Sequence, residues 1–244
     1  MDFRILVVVF LGVAILLEAI VLVFHITSFN STGAKKFKFY TYIPFELSFR
    51  VPTLSSVLSN KEYESYFIAV LRKIISWIII GIPNFMLVLS MLCFALYVQF
   101  NGGDITAAYI LFTVFTLASF FFVVLTHLKL SYYSSHMLFT TLFVASTLLL
   151  LSLYIFFFTN DHYNFGNGII NKEVQITNFV ISLILLIFEF GLMLNKNYKN
   201  RFKMVKVDAE TYNRPKFCYL AILEWGTLLN LFLAFIPVLI IIYL

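Results

Sequence analysis

Residues Met86 to His127 read MLVLSMLCFALYVQF, then NGGD, then ITAAYILFTVFTLASFFFVVLTH. Two apolar runs flank four turn-forming residues, Asn101-Gly102-Gly103-Asp104. The second run, and the first together with the apolar residues that lead into it from Lys73, are each long enough, as a helix, to cross a hydrocarbon layer about 30 Å thick, which takes roughly 20 residues. A connection this short predicts a tight turn between antiparallel neighbours. With no water available to the backbone, only a helix satisfies every peptide group of such a run from within.

The same pattern repeats along the chain. Apolar residues make up 61% of the 244, and charged residues only 12%. A chain of that composition does not fold around one aqueous core. It predicts an all-α, polytopic membrane bundle of six spans: Phe3 to Ser28, Lys73 to Gln99, Ile105 to His127, His136 to Thr159, Gln175 to Asn195 and Phe217 to Leu244. What remains is too short for a separate soluble domain, so residues 1–244 are expected to form one membrane domain. The first run exceeds the 7–15 residues, roughly, of a signal-peptide core, and it is expected to remain as a helix.

Two connections are long, Phe29 to Arg72 and Lys196 to Lys216. In the first, Tyr66, Phe67, Val70, Leu71 and Ile74 recur at helical spacing. They predict a partly amphipathic stretch over Asn60 to Ile75 at headgroup level. Pro83 is expected to kink the second helix.

Charge sets an expected orientation. Of 17 basic residues, all but Arg4 and Lys172 fall on the side of the connections that follow spans one, three and five. The positive-inside rule places those connections in the cytosol and both termini outside. Against this, Asn30-Ser31-Thr32 is a glycosylation sequon, usable only if the first connection is lumenal. The charge count is favoured over the sequon.

Ionisable residues inside lipid are costly and so become functional candidates. Glu18, His25, Glu189 and Glu224 stand inside or at the ends of spans. Glu224, about two turns into the last span, is the candidate catalytic acid, able to act as a base, to bind a cationic headgroup, or simply to stand as a protonated or structurally hydrogen-bonded acid. Glu18 and His25 are seven residues apart and share one helical face. Together they form a candidate lipid or substrate site, or a proton relay. His127 and His136 bracket a short connection and read as interfacial. Cys93 and Cys218 both lie in spans, which suggests no disulfide framework, and no metal site has the required spacing. The sequence contains no nucleophile elbow, phosphate loop or metalloprotease helix. No cofactor is expected. The net charge of +5 sits beside spans and calls for anionic headgroups rather than nucleic acid.

Two segments carry a resemblance. One is Val51-Pro52-Thr53-Leu54-Ser55-Ser56, continued by Tyr63-Glu64-Ser65-Tyr66-Phe67 and ending in Leu71-Arg72; the other is Ala221-Ile222-Leu223-Glu224-Trp225. They resemble the loop and last-helix motifs of the autophagy-modulator (DRAM) and FGF-receptor-activating-protein superfamily, most nearly its post-GPI-attachment branch. That resemblance implies a Golgi or endoplasmic-reticulum protein that remodels GPI-anchor lipid. It marks Pro52, Ser55, Arg72 and Glu224 as candidate functional positions. Membrane lipids, GPI-anchored proteins or another membrane protein would be the partners. Two further functions stay open: a non-enzymatic scaffold or modulator of autophagy or phosphoinositide signalling, at the plasma membrane or lysosome as well, which the resemblance to other branches implies and the lack of a complete catalytic constellation favours; and a small transporter or channel, with Glu18, His25 and Glu224 lining its path.

Overall fold

The computed structural model describes residues 2–32, 38–40, 66–127, 133–159, 165, 176–177, 180–181, 183–184, 187, 191, 222, 225–226, 229 and 232–243. All regular structure among them is helical. Five helices are delimited: α1 Phe3–Thr32, α2 Tyr66–Phe100, α3 Ile105–His127, α4 Tyr133–Thr159 and α5 Phe235–Tyr243. The first four contain stretches long and apolar enough to cross a membrane: Phe3–Val23, Ile78–Phe100, Ile105–Leu125 and Leu138–Phe157. The chain is therefore a multi-pass helical membrane protein, and its described residues hold four such spans rather than six. Residues 176–191 are described only in part, and the last expected span is delimited only as α5.

The α2–α3 turn forms as its residue types require. Gly103 N–H donates to Val98 O at 2.9 Å, and Gly102 sits at φ 72°. This is a Schellman end, in which a left-handed glycine lets the chain reverse without a Cβ clash. Asp104 then caps α3, its Oδ1 accepting from Ala107 N–H at 2.9 Å. Asp2 caps α1 in the same way through Arg4 N–H at 3.0 Å. The side-chain hydrogen bond from Arg4 holds the Asp2 carboxyl below the usual carboxylate range.

Two seams of matching spacing hold α1 against α2. Val7, Leu11 and Ala14 are buried on α1, and Ile80, Asn84, Leu87, Met91, Phe94 and Val98 on α2. Both sets step by alternating threes and fours, the spacing at which side chains of paired helices interdigitate. The helices run antiparallel. Phe3 stacks on Phe100 at 5.3 Å, and Ser90 Oγ donates to the Val7 carbonyl at 2.8 Å. Half of the α2 span is buried, against 17% of the α1 span, so α2 is central and α1 peripheral.

The α3–α4 pair closes through Phe122–Phe143 at 5.7 Å and Phe121–Phe139 at 6.2 Å. Tyr154 on α4 reaches Met91 Sδ on α2 at 3.8 Å. Small residues line the contacts: Ala95, Ala107, Ala108, Ala118 and Ala234 are all buried. Helices approach closely where side chains are small, since lipid tails supply no hydrophobic force to bring them together. Outward, Ile5, Leu16, Ile20, Val23, Phe85 and Phe120 are exposed, as a lipid-facing surface demands.

Three expectations change. The second helix starts before the expected Lys73: it takes in the amphipathic entry from Tyr66 onward, and α2 runs unbroken for 35 residues through the buried Pro83. α4 begins three residues before the expected His136. α1 continues past the expected Ser28 to Thr32, because a helix can outrun the apolar layer that favours it. Asn30 therefore stands in the last turn of a helix and not in a loop.

Glycosylation needs an accessible loop acceptor. Asn30 is accordingly expected to be unmodified, and glycosidase treatment of the protein from eukaryotic cells should leave its gel mobility unchanged. Ser90→Ala should lower stability by about 0.6 kcal/mol, the average for a hydrogen bond between membrane helices, read by reversible unfolding in mixed micelles.

Candidate functional site

The seam of α1 does not stay apolar. Val7, Leu11 and Ala14 are followed at the next step by Glu18, so the packing that buries three apolar residues also turns the carboxyl toward α2. Opposite stands Asn84, only 3% exposed, directly after Pro83. Asn84 Nδ2 donates to Glu18 Oε1 at 3.3 Å and to the Ile80 carbonyl, one turn back on its own helix, at 3.0 Å. Asn84 Oδ1 is buried and has no hydrogen-bond partner.

Glu18 stands near the middle of α1, fourteen residues before its end at Thr32, and Asn84 near the middle of α2, eighteen residues after its start at Tyr66. α1 ends and α2 begins at one membrane face, which receives the long connection. Toward the opposite face the seam is dry, filled by Leu11, Leu87, Met91 and Phe94. Beyond that, Phe165 is buried against Phe94 and Phe157, each at 6.4 Å.

The arrangement can bind and orient a small polar group. Its accessible group is the Glu18 carboxyl; the amide nitrogen is committed to Glu18 Oε1 and the Ile80 carbonyl, and the amide oxygen is buried. Glu18 is only partly buried, and its neighbours Leu16, Ala19 and Ile20 are exposed, so the site opens at the edge of the bundle.

The other predicted site residues divide in two. Glu224, Pro52 and Ser55 lie outside the described residues, as do Glu189 and His162. For His25, Arg72, Asn30, His127 and His136 the helical backbone is described and the side chain is not. His25 keeps the helical register that places it two turns beyond Glu18 on α1. Among the described residues, no group of three metal-ligating side chains exists.

Sequence reasoning missed Asn84, and a signal was present. An asparagine after a proline, in the middle of a 35-residue apolar helix, is a polar group in hydrocarbon. It carries no charge, so the cost of burying an ionisable group does not single it out. Comparison with family models, with curated proteins and with solved structures finds no match.

Removing one partner should unseat the other. Asn84→Leu and Glu18→Ala should each destabilise the bundle. Their double-mutant cycle should give a coupling of about 0.6–1.7 kcal/mol, the measured range for polar contacts between membrane helices. Coupling near zero would mean the pair does not act together.

Proposed function

We propose that the chain handles membrane lipid, and that its specific task is remodelling the lipid portion of GPI anchors in the secretory pathway. The observation that carries the reading is the Glu18–Asn84 pair. It is a polar site at the lipid-facing edge of an apolar bundle. The connection between α1 and α2 carries Lys35, Lys36, Lys38, Arg50 and Lys61, which favour anionic headgroups. The motifs around Pro52, Ser55, Arg72 and Glu224 support the same direction through their resemblance to post-GPI-attachment-to-proteins factor 2. On this reading the protein works in the Golgi or endoplasmic reticulum, on membrane lipids and GPI-anchored proteins, with Glu18 and Glu224 as its intramembrane acids.

The reading includes six spans. Helical residues recur between 176 and 191. α5 packs beside α1, and Phe235 meets Phe115 at 5.2 Å in the middle of α3. Tyr243 lies within electrostatic reach of Arg4, which puts the end of α5 at the face where α1 starts. Two ends at one face require an even number of crossings, and a fifth and sixth span supply them. A transport path draws less support, since the seam below Glu18 is packed with apolar side chains.

The test is deletion of the protein from its own cells, followed by lipid analysis of purified GPI anchors and by measuring release of a GPI-anchored reporter into the medium. Loss should change the anchor's acyl composition and increase release. Wild type should restore both, and Glu18→Ala should not. Unchanged anchor lipid in the deleted cells would overturn the proposal. Full rescue by Glu224→Gln would remove Glu224 from any proton-transfer role.

A further inference from the structure

We propose that Glu18 and Asn84 together bind one proton: Glu18 is the carboxylic acid, and its second oxygen donates to Asn84 Oδ1. The argument starts from the amide. A primary amide has two N–H donors and one carbonyl acceptor. Both donors of Asn84 are committed, to Ile80 O at 3.0 Å and to Glu18 Oε1 at 3.3 Å. The acceptor is buried and receives nothing. A buried carbonyl left without a donor is a standing cost, and more so in hydrocarbon, where no water stands by.

The geometry says where the missing donor belongs. The nitrogen and oxygen of the amide leave the same carbon in one plane. A carboxyl that accepts from the nitrogen through one oxygen can turn the other toward the amide oxygen, closing a ring of two hydrogen bonds. A carboxylate brings no hydrogen to that meeting, and sets one acceptor against another. A carboxylic acid completes a closed pair, N–H to carboxyl oxygen and O–H to amide oxygen. Asn84 Oδ1 is too enclosed for a larger donor, and a proton needs no room.

No neighbouring charge supplies an alternative among the described side chains. On α1 between Ile5 and Val23 Glu18 is the only ionisable group, and Arg4 stands 14 residues away, about 21 Å toward the opposite face. On α2 between Ile78 and Phe100 the titratable groups are Cys93 and Tyr97, nine and thirteen residues toward that same face. On α5 it is Tyr243, at the far face again. The side chains of His25, Arg72, Lys73, Glu189 and Glu224 lie outside the described residues. An unpaired carboxylate at this depth would be expensive, and taking up a proton removes the charge. The proton comes from hydronium at the nearer face. One O–H bond forms on Glu18, one water is released, and nothing else in the protein changes covalently.

The inference concerns the pair on which the lipid-handling reading rests, yet the two fail separately. Infrared spectroscopy reads the proton and cellular rescue reads the function. The full chain in phosphatidylcholine nanodiscs at neutral pH should show the carbonyl stretch of a hydrogen-bonded carboxylic acid. Glu18→Gln should abolish that band. Asn84→Leu should shift it to the higher frequency of a free acid. Absence of any band lost with Glu18→Gln, or an unshifted band in Asn84→Leu, would overturn the proposal. Glu18→Gln has a further reading, because glutamine is the uncharged isostere of the acid and can donate to Asn84 Oδ1 through its own N–H. Its unfolding constant should stay within about threefold of wild type, the worth of one average hydrogen bond between membrane helices. A larger loss, or failure to fold, counts equally against a neutral acid at this position.

Discussion

A helix in hydrocarbon satisfies its own backbone and has no further need of its neighbours. That constraint governs the whole molecule. Burying apolar surface gains little when the surroundings are themselves apolar, so association falls to close packing and to a few polar contacts. The buried alanines of α3, Ala107, Ala108 and Ala118, are the first kind. Ser90 on the Val7 carbonyl and Asn84 on Glu18 are the second. Both of these polar contacts join α1 to α2, at depths separated by three turns of α1. The least buried of the four spans is thus the one held by polar bonds, where apolar packing alone would leave it free to turn.

Much of this was legible in the sequence, because the signals were local. The α3 boundaries, Ile105 and His127, are those the sequence predicts, since Asp104 caps one end and the polar stretch after His127 closes the apolar run. The Asn101–Asp104 turn depends only on residues that tolerate a left-handed backbone and cap a helix. Boundaries failed where the criterion was hydropathy alone. Phe29 to Thr32 and Tyr66 to Arg72 are helical although they lie outside the apolar windows. Apolarity marks where a helix is needed in lipid, not where the backbone stops being helical.

The candidate site was half legible for a related reason. Glu18 announces itself as a charge within a span. Asn84 carries none, and its role depends on a neighbour 66 residues away that no local pattern identifies. The three-and-four rhythm of Val7, Leu11, Ala14 and Glu18 does predict which face of α1 turns inward. The matching rhythm of Ile80, Asn84 and Leu87 does the same for α2. Two such stripes, aligned antiparallel about the α1–α2 contact, bring the carboxyl and the amide to one level. Sequence could give both stripes, but not their register.

That register has a consequence for how the nearer face of the protein behaves. α1 continues as helix for fourteen residues beyond Glu18, to Thr32. A helix held at Val7 and at Glu18 carries a change at Glu18 outward along those fourteen residues, toward the face that receives the long connection. Tyr66 and Arg72 belong to α2 on the other side of the same seam, and the stretch between the two helices contains Pro52 and Ser55. The Glu18–Asn84 contact therefore lies on the side of the seam from which α1 and α2 both run out to that connection. The opposite face, where Phe165 packs on Phe94 and Phe157, is separated from it by the apolar seam.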